Sequence, residues 1–254
     1  MFDVSIMLLY ICSLFGLIAG LLIGAAGIGG VILVPLLVYF AGIDIHTSIA
    51  ASVAAFFVSG LVGTITYSKR GIIRWFDFLA VGVGAVPGAL LGSYVLPKIE
   101  SYFLTLFIAL VLMASAIKQF TGTNNTDLAC STRTIPKYQL ALVGLVTGFL
   151  SVLSGTGGPL VLLPLLNLLS APLISAIGLS QVIQLPIAVF ASIGNALNSL
   201  IDWKLVMVLS FGLAFGSFIG AKGSERLPIA HIKMLVSILL FLSGSYMVTT
   251  LLFG

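Results

Sequence analysis

Charged residues make up only 7% of the 254 residues, while hydrophobic residues make up 60%. Soluble domains carry about 25% charged residues, so this chain cannot build a water-facing surface and its outside must face lipid. The net charge of +4 arises in short loops, where it reports orientation and excludes nucleic acid as a partner.

The chain opens without the basic region of a signal peptide, since its only early charge is Asp3. A first apolar stretch, 5–41, is interrupted by glycines. Spans are predicted at 47–68, 75–96 and 101–118, each near the roughly 20 residues that cross a hydrocarbon core. A polar Thr/Asn/Ser stretch over 121–135 has linker composition. A second glycine-interrupted stretch, 138–170, precedes spans at 173–200, 203–222 and 231–252. Nothing remains for a soluble domain. Cys12 and Cys130 show neither metal-ligand spacing nor an evident disulfide, and no cofactor is expected.

The second half repeats the first. Gly16, Gly20, Gly27, Gly29, Gly30 and Pro35 return as Gly144, Gly148, Gly155, Gly157, Gly158 and Pro164, at an offset of 128 with one extra residue before the second proline. The same offset carries Ser52 onto Ser180, Trp75 onto Trp203, Gly88 onto Gly216 and Gly92 onto Gly220. We therefore divide the chain into a first transmembrane repeat (1–119), a polar cytoplasmic linker (120–137) and a second transmembrane repeat (138–254).

Loop charges orient the repeats. If each opening stretch goes in and returns, as two spans or a re-entrant hairpin, one face collects Lys69, Arg70, Arg74, Lys118, Arg133, Lys137, Lys222, Arg226 and Lys233. The other holds only Lys98 and Lys204. A single crossing would divide them seven to four. Cytoplasmic loops carry the Lys/Arg excess, which favours the hairpin. The expected fold is thus an all-α polytopic membrane protein of two inverted repeats. Each is a glycine-broken hairpin, re-entrant or fully spanning, followed by three transmembrane helices. Both termini are expected on the non-cytoplasmic side of the inner (plasma) membrane.

The glycine clusters point to a binding site. Gly27, Gly29 and Gly30, and Gly155, Gly157 and Gly158, are dense enough to interrupt a helix. Pro159 marks a new helix start. Irregular backbone at membrane depth is tolerated only where it is buried in protein or lines a cavity, and paired breaks in corresponding positions point to a transporter's site. A helix start offers free N–H groups and about half a unit of positive charge, which suits a small anion. Ser154 and Thr156 add hydroxyls. The plainer reading of glycine spacing is close helix packing, preferred for Gly16/Gly20/Gly24, Gly144/Gly148, Gly88/Gly92 and Gly212/Gly216/Gly220.

The next span of each half carries a polar stripe. Ser48, Ser52, Ser59 and Thr66 keep one helical face in the first; Gln181, Gln184, Asn195 and Asn198 do so in the second. Facing lipid would cost these groups several kcal/mol. They belong inside, as interhelical hydrogen bonds or as a cavity lining, with Pro186 loosening the backbone beside Gln181 and Gln184.

Gly27-Ile-Gly29-Gly30 with Pro35, its copy Gly155-Thr-Gly157-Gly158 with Pro164, Thr47-Ser48-Ile-Ala-Ala-Ser52, and Gly88-Ala-Leu-Leu-Gly92 resemble the TauE/SafE family of sulfite exporters over almost the whole chain. The resemblance implies movement of sulfite and small organosulfonates such as sulfoacetate, and in some members other small organic anions. It places function on the glycine clusters and on Ser52, Ser180 and Gln181. The first half has no glutamine matching Gln181.

A secondary transporter of small anions is therefore expected, with the lipid bilayer as its surroundings and a homo-oligomer compatible with the reading. The rivals are an anion channel, a non-transporting membrane subunit and an intramembrane hydrolase. The hydrolase would use Ser154 but needs a base within reach, whereas His46 and His231 fall at helix ends. Asp44, Asp77 and Asp202 also fall at helix ends, so no proton relay is seen. A uniporter or a symporter with backbone-held ions fits best.

Overall fold

Long uncharged stretches fold as helices because lipid leaves backbone polar groups no partner except the helix itself. The computed structural model describes residues 6–26, 30–71, 73–121, 135–169, 171, 173–223 and 229–253. The first half contains α1 (Ile6–Ala26), α2 (Gly30–Phe40), α3 (Ile45–Lys69), α4 (Trp75–Val95) and α5 (Ser101–Thr121). The second contains α6 (Lys137–Ser154), α7 (Pro159–Leu168), α8 (Leu173–Val182), α9 (Gln184–Leu197), α10 (Trp203–Gly223) and α11 (Ile229–Phe253). Among the described residues, 5 helical stretches are long and apolar enough to cross a membrane. Tyr10, Phe76, Val83 and Phe211 point outward, as a lipid-facing surface requires. This is a multi-pass membrane protein.

The repeat is visible in the helix bounds. Ile45, Trp75 and Ser101 open helices in the first half; Leu173, Trp203 and Ile229, each 128 positions later, open their counterparts. Local chemistry explains the starts of α3 and α10. Asp44 accepts from the N–H groups of His46 (2.9 Å) and Thr47 (3.2 Å). Asp202 does the same for Lys204 (2.9 Å) and Leu205 (3.3 Å).

Two departures from the sequence expectation matter. The span expected over 173–200 is two helices, α8 and α9, parted at Ile183. Pro186 has no N–H to give the Val182 carbonyl, so the helical ladder is broken there. Second, α7 has 10 residues, about 15 Å at 1.5 Å per residue, or half of a roughly 30 Å hydrocarbon core. Its counterpart α2 is comparably short; it begins with a 3₁₀ turn at Gly30–Ile32 and ends with a π-helical turn at Leu36–Phe40.

Small residues bring helix backbones together. Gly16 faces Leu209 and Gly212, and Gly20 faces Leu213 and Ser217, so α1 and α10 run in the same direction. Gly84 lies on Ala141, Gly88 on Leu145 and Gly92 on Phe149 and Val152, so α4 and α6 also run together. Along α3 and the consecutive helices α8 and α9 the order reverses: Gly60 meets Gln184 of α9 whereas Gly63 meets Gln181 of α8. The most extensive helix contacts, α1 with α10 and α4 with α6, join one half to the other, as do α5 with α11 and α3 with α9. The halves interleave around a shared core.

Candidate functional site

The break between α6 and α7 shows why its glycines are there. Gly155 adopts a left-handed conformation (φ 65°, ψ 26°) and closes α6 by donating to the Ser151 carbonyl. Thr156 N–H reaches the same carbonyl at 3.1 Å. Gly157 (φ 74°) and Gly158 (φ 123°) continue through backbone space that side chains disfavour. Pro159 then starts α7, and Leu162 N–H donates to the Gly158 carbonyl at 2.9 Å. Ser154 Oγ donates to the Leu150 carbonyl at 2.7 Å and lies 3.1 Å from Thr156 Oγ1. Both hydroxyls are buried and paired.

The two breaks converge. A Cβ on Gly30 would come within 2.6 Å of Phe56 Cζ, and one on Gly157 within 2.6 Å of Phe56 Cδ2. A Cβ on Gly155 would lie 2.5 Å from Val34 of α2. The fully buried Phe56 ring in mid-α3 is therefore held between backbone at the start of α2 in the first half and backbone of the α6–α7 break in the second. The candidate positions Gly27 and Gly29 lie outside the described residues. At Gly30 and Gly157 an aromatic ring occupies the space where sequence reasoning expected an anion.

Below the ring, counted along α3, lies a polar chain. Ser59 Oγ sits 2.9 Å from Gln184 Oε1, and Gln184 Nε2 donates to Gln181 Oε1 at 3.1 Å. Gly60 and Gly63 make room for the two glutamines, whose nearest atoms would lie 2.8 Å and 2.5 Å from an added Cβ. Gln181 Nε2 has no partner, nor do Ser52 Oγ and both polar atoms of the Asn195 side chain, all of them buried. Asn195 follows Gln184 by about three helical turns and so lies on the same face of α9.

The candidates therefore divide. Ser52, Gln181 and Asn195 keep hydrogen-bonding capacity, while Gln184 is committed to its neighbours. Ser180 gives its hydroxyl to the Ile177 carbonyl of its own helix at 2.8 Å. Thr147 and Ser151, on α6 just before the break, also have buried unpartnered hydroxyls; their i, i+4 spacing was the available signal. Phe56 was missed because one aromatic among apolar residues looks like lipid-facing or core packing. The clue was its position, four residues after Ser52 and three before Ser59.

A cavity of about 310 Å³ opens at one end of the bundle, lined by Thr47 and by residues 199–204 of the α9–α10 connection. It lies at the start of α3 rather than at the breaks. Ser199 there is held at φ 56°, and its counterpart Gly71 has φ 68°. His46 Nε2 is 2.9 Å from the Ile99 carbonyl, bound to backbone rather than poised beside a serine.

The sequence pattern of the sulfite exporter TauE/SafE family matches residues 12–247. The chain belongs to this family. It is 28% identical over 238 residues to "Probable membrane transporter protein YdhB" of Bacillus subtilis (strain 168), covering 89% of this chain and 93% of that one. It is 24% identical over 262 residues to "Probable membrane transporter protein MJ0441" of Methanocaldococcus jannaschii, covering 95% and 96%. A further relative, "Probable membrane transporter protein YunE" of Bacillus subtilis (strain 168), is 25% identical over 263 residues, covering 94% and 96%. No solved structure matches the chain. This TauE/SafE protein is a membrane transporter and not an enzyme.

Proposed function

We propose that the protein is a secondary carrier of small oxyanions, sulfite and organosulfonates foremost, bound where the glycine breaks of two inverted halves meet. The observation that carries this reading is the convergence of Gly30 and Gly157 on Phe56: backbone from both halves reaches one buried point. Glycine at 155, 157 and 158, each at positive φ, leaves the α7 start without Cβ atoms of its own at these positions, which lets an oxyanion come close to the backbone once the Phe56 ring that covers Gly157 moves aside. The family's description supplies the substrate class.

Inversion is supported by the opposed courses of α3 and α9, whose start positions correspond at the 128-residue offset once α8 is joined to α9. Repeats in the same orientation would make these counterparts parallel. The short α2 and α7 then act as the returning arms of re-entrant hairpins. With the basic 69–74 loop cytoplasmic, both termini lie on the opposite side of the inner membrane.

Purified protein reconstituted in liposomes tests the reading. Saturable uptake of labelled sulfite, accelerated by unlabelled sulfite or sulfonate inside the vesicles, is expected. Flux without counterflow indicates a channel, and no flux of any small anion removes the function.

A further inference from the structure

Several hydroxyls on these helices give their proton to their own backbone. Thr66, Thr105, Ser115, Ser154 and Ser180 each donate to a carbonyl three or four residues earlier. Ser59 has a second choice. Its Oγ lies 3.1 Å from the Phe56 carbonyl and 2.9 Å from Gln184 Oε1, across the contact between α3 and α9. A hydroxyl has one proton to give, and the shorter of the two contacts is the one to glutamine.

With the Ser59 proton on Gln184 Oε1, each later bond has one sense. Gln184 Nε2 donates to Gln181 Oε1 at 3.1 Å, and Gln181 Nε2 is left buried with no acceptor. Each bond in such a chain polarises the next, which strengthens the donor at its end. Without the Ser59 proton both amides can turn over together and present a carbonyl there instead, which repels an anion. The chain begins at the central ring, because Ser59 Oγ touches the backbone of Phe56. Gly158 of the α6–α7 break lies against Ile183 and Ile187, on either side of Gln184 in sequence. The chain ends at Gln181, whose side chain lies over Gly63. That is about two turns, or about 10 Å, beyond Phe56 along α3, toward the basic 69–74 loop.

We infer that Ser59 is a positioning residue: through Gln184 it sets the sense of the Gln181 amide, so that the Gln181 N–H holds an oxygen of the anion on the side of Phe56 nearer the 69–74 loop. This rests on the anion-carrier reading above and adds to it a contact separated from the glycine break by the ring. Ser59 itself does not touch the anion and acts only through the two glutamines. Removing its hydroxyl therefore weakens binding by loosening the amide sense, whereas removing the Gln181 N–H deletes the contact itself.

The test measures KM and Vmax for sulfite counterflow in proteoliposomes, at one pH, for the wild type and four variants. Gln181→Met keeps the length of the side chain and removes its N–H, and should raise KM about tenfold, as loss of a hydrogen bond to a charged partner does. Ser59→Ala should raise KM about threefold, and Ser59→Thr, which keeps the hydroxyl, should restore it. Adding Ser59→Ala to Gln181→Met should raise KM no further, because residues that act through one another are not additive. A purely structural role for the chain lowers the thermal midpoint and Vmax and leaves KM alone. Unchanged KM in folded Gln181→Met or in Ser59→Ala, equal KM in Ser59→Ala and Ser59→Thr, or a further threefold rise in the double variant overturns the inference. If Gln181→Met does not fold, the comparison of Ser59→Ala with Ser59→Thr decides by the same criterion. Absence of all flux in the wild type overturns the carrier reading instead.

Discussion

Phe56 is the residue on which the centre turns. Its ring is wholly buried between Gly30 and Gly157, and replacing a buried Phe by Ala costs about 3–5 kcal/mol in a packed core. Phe56→Ala should therefore be less heat-stable in detergent, yet accept bulkier sulfonates such as benzenesulfonate in counterflow. An unchanged substrate profile at retained folding would take the ring out of the pathway. Ser199 makes a separate point about backbone strain. Left-handed backbone costs an ordinary residue roughly 1–2 kcal/mol, and Gly71, 128 positions earlier, already avoids that cost at φ 68°. Ser199→Gly should raise the thermal midpoint of the purified protein; a lower midpoint would show that the Ser199 side chain contributes more than its backbone loses. The serines teach the opposite lesson about legibility. Ser52 and Ser180 are matched by the repeat, yet only Ser52 keeps a free hydroxyl, because Ser180 bonds the Ile177 carbonyl. Rotamer choice is set by neighbours, and the residue pattern does not contain it.

At the scale of helices, glycine position separates contact from open surface. A Cβ on Gly84 would overlap the Ala141 carbonyl, whereas one on Gly82, half a turn away, would meet only Phe78 at 3.9 Å. Gly84→Leu is therefore expected to abolish the monodisperse folded protein, and Gly82→Leu to leave both folding and transport intact. Size-exclusion profiles of the two variants check this, and equal behaviour would show that α4 and α6 do not need backbone contact. Helix limits themselves were largely readable. The span expected over 75–96 is α4 at Trp75–Val95, and 47–68 is α3 at Ile45–Lys69, because hydropathy and Asp44 capping act locally. The parting of α8 and α9 was only partly readable. Pro186 marked the loosened backbone, but whether a proline kinks a helix or ends it depends on the packing around the freed carbonyl.

For the whole molecule, orientation is the decisive property. The inverted arrangement proposed above would put Lys69 and Lys204 on opposite sides of the membrane, so single cysteines at these positions in a background lacking Cys12 and Cys130 should differ. A membrane-impermeant maleimide added to intact cells should label Lys204→Cys, and should reach Lys69→Cys only after permeabilisation. Labelling of both from one side would sink the inversion. Each half supplies one partner to the α1–α10 pair and one to the α4–α6 pair, so neither half completes a core alone.

Composition, hydropathy and the 128-residue repeat are properties of the chain, and by themselves they determined the lipid environment, the long helices and where the backbone must break. Each follows from transfer free energies and local backbone preference, which need no knowledge of neighbours. Only the tertiary structure decided that one aromatic ring lies between both breaks, that Ser154 and Thr156 pair with each other, and that Asn195 is left with both ends unsatisfied. Those outcomes depend on which helix faces which, and residues 125 or more positions apart, such as Ser59 and Gln184, meet only after the two halves have interleaved.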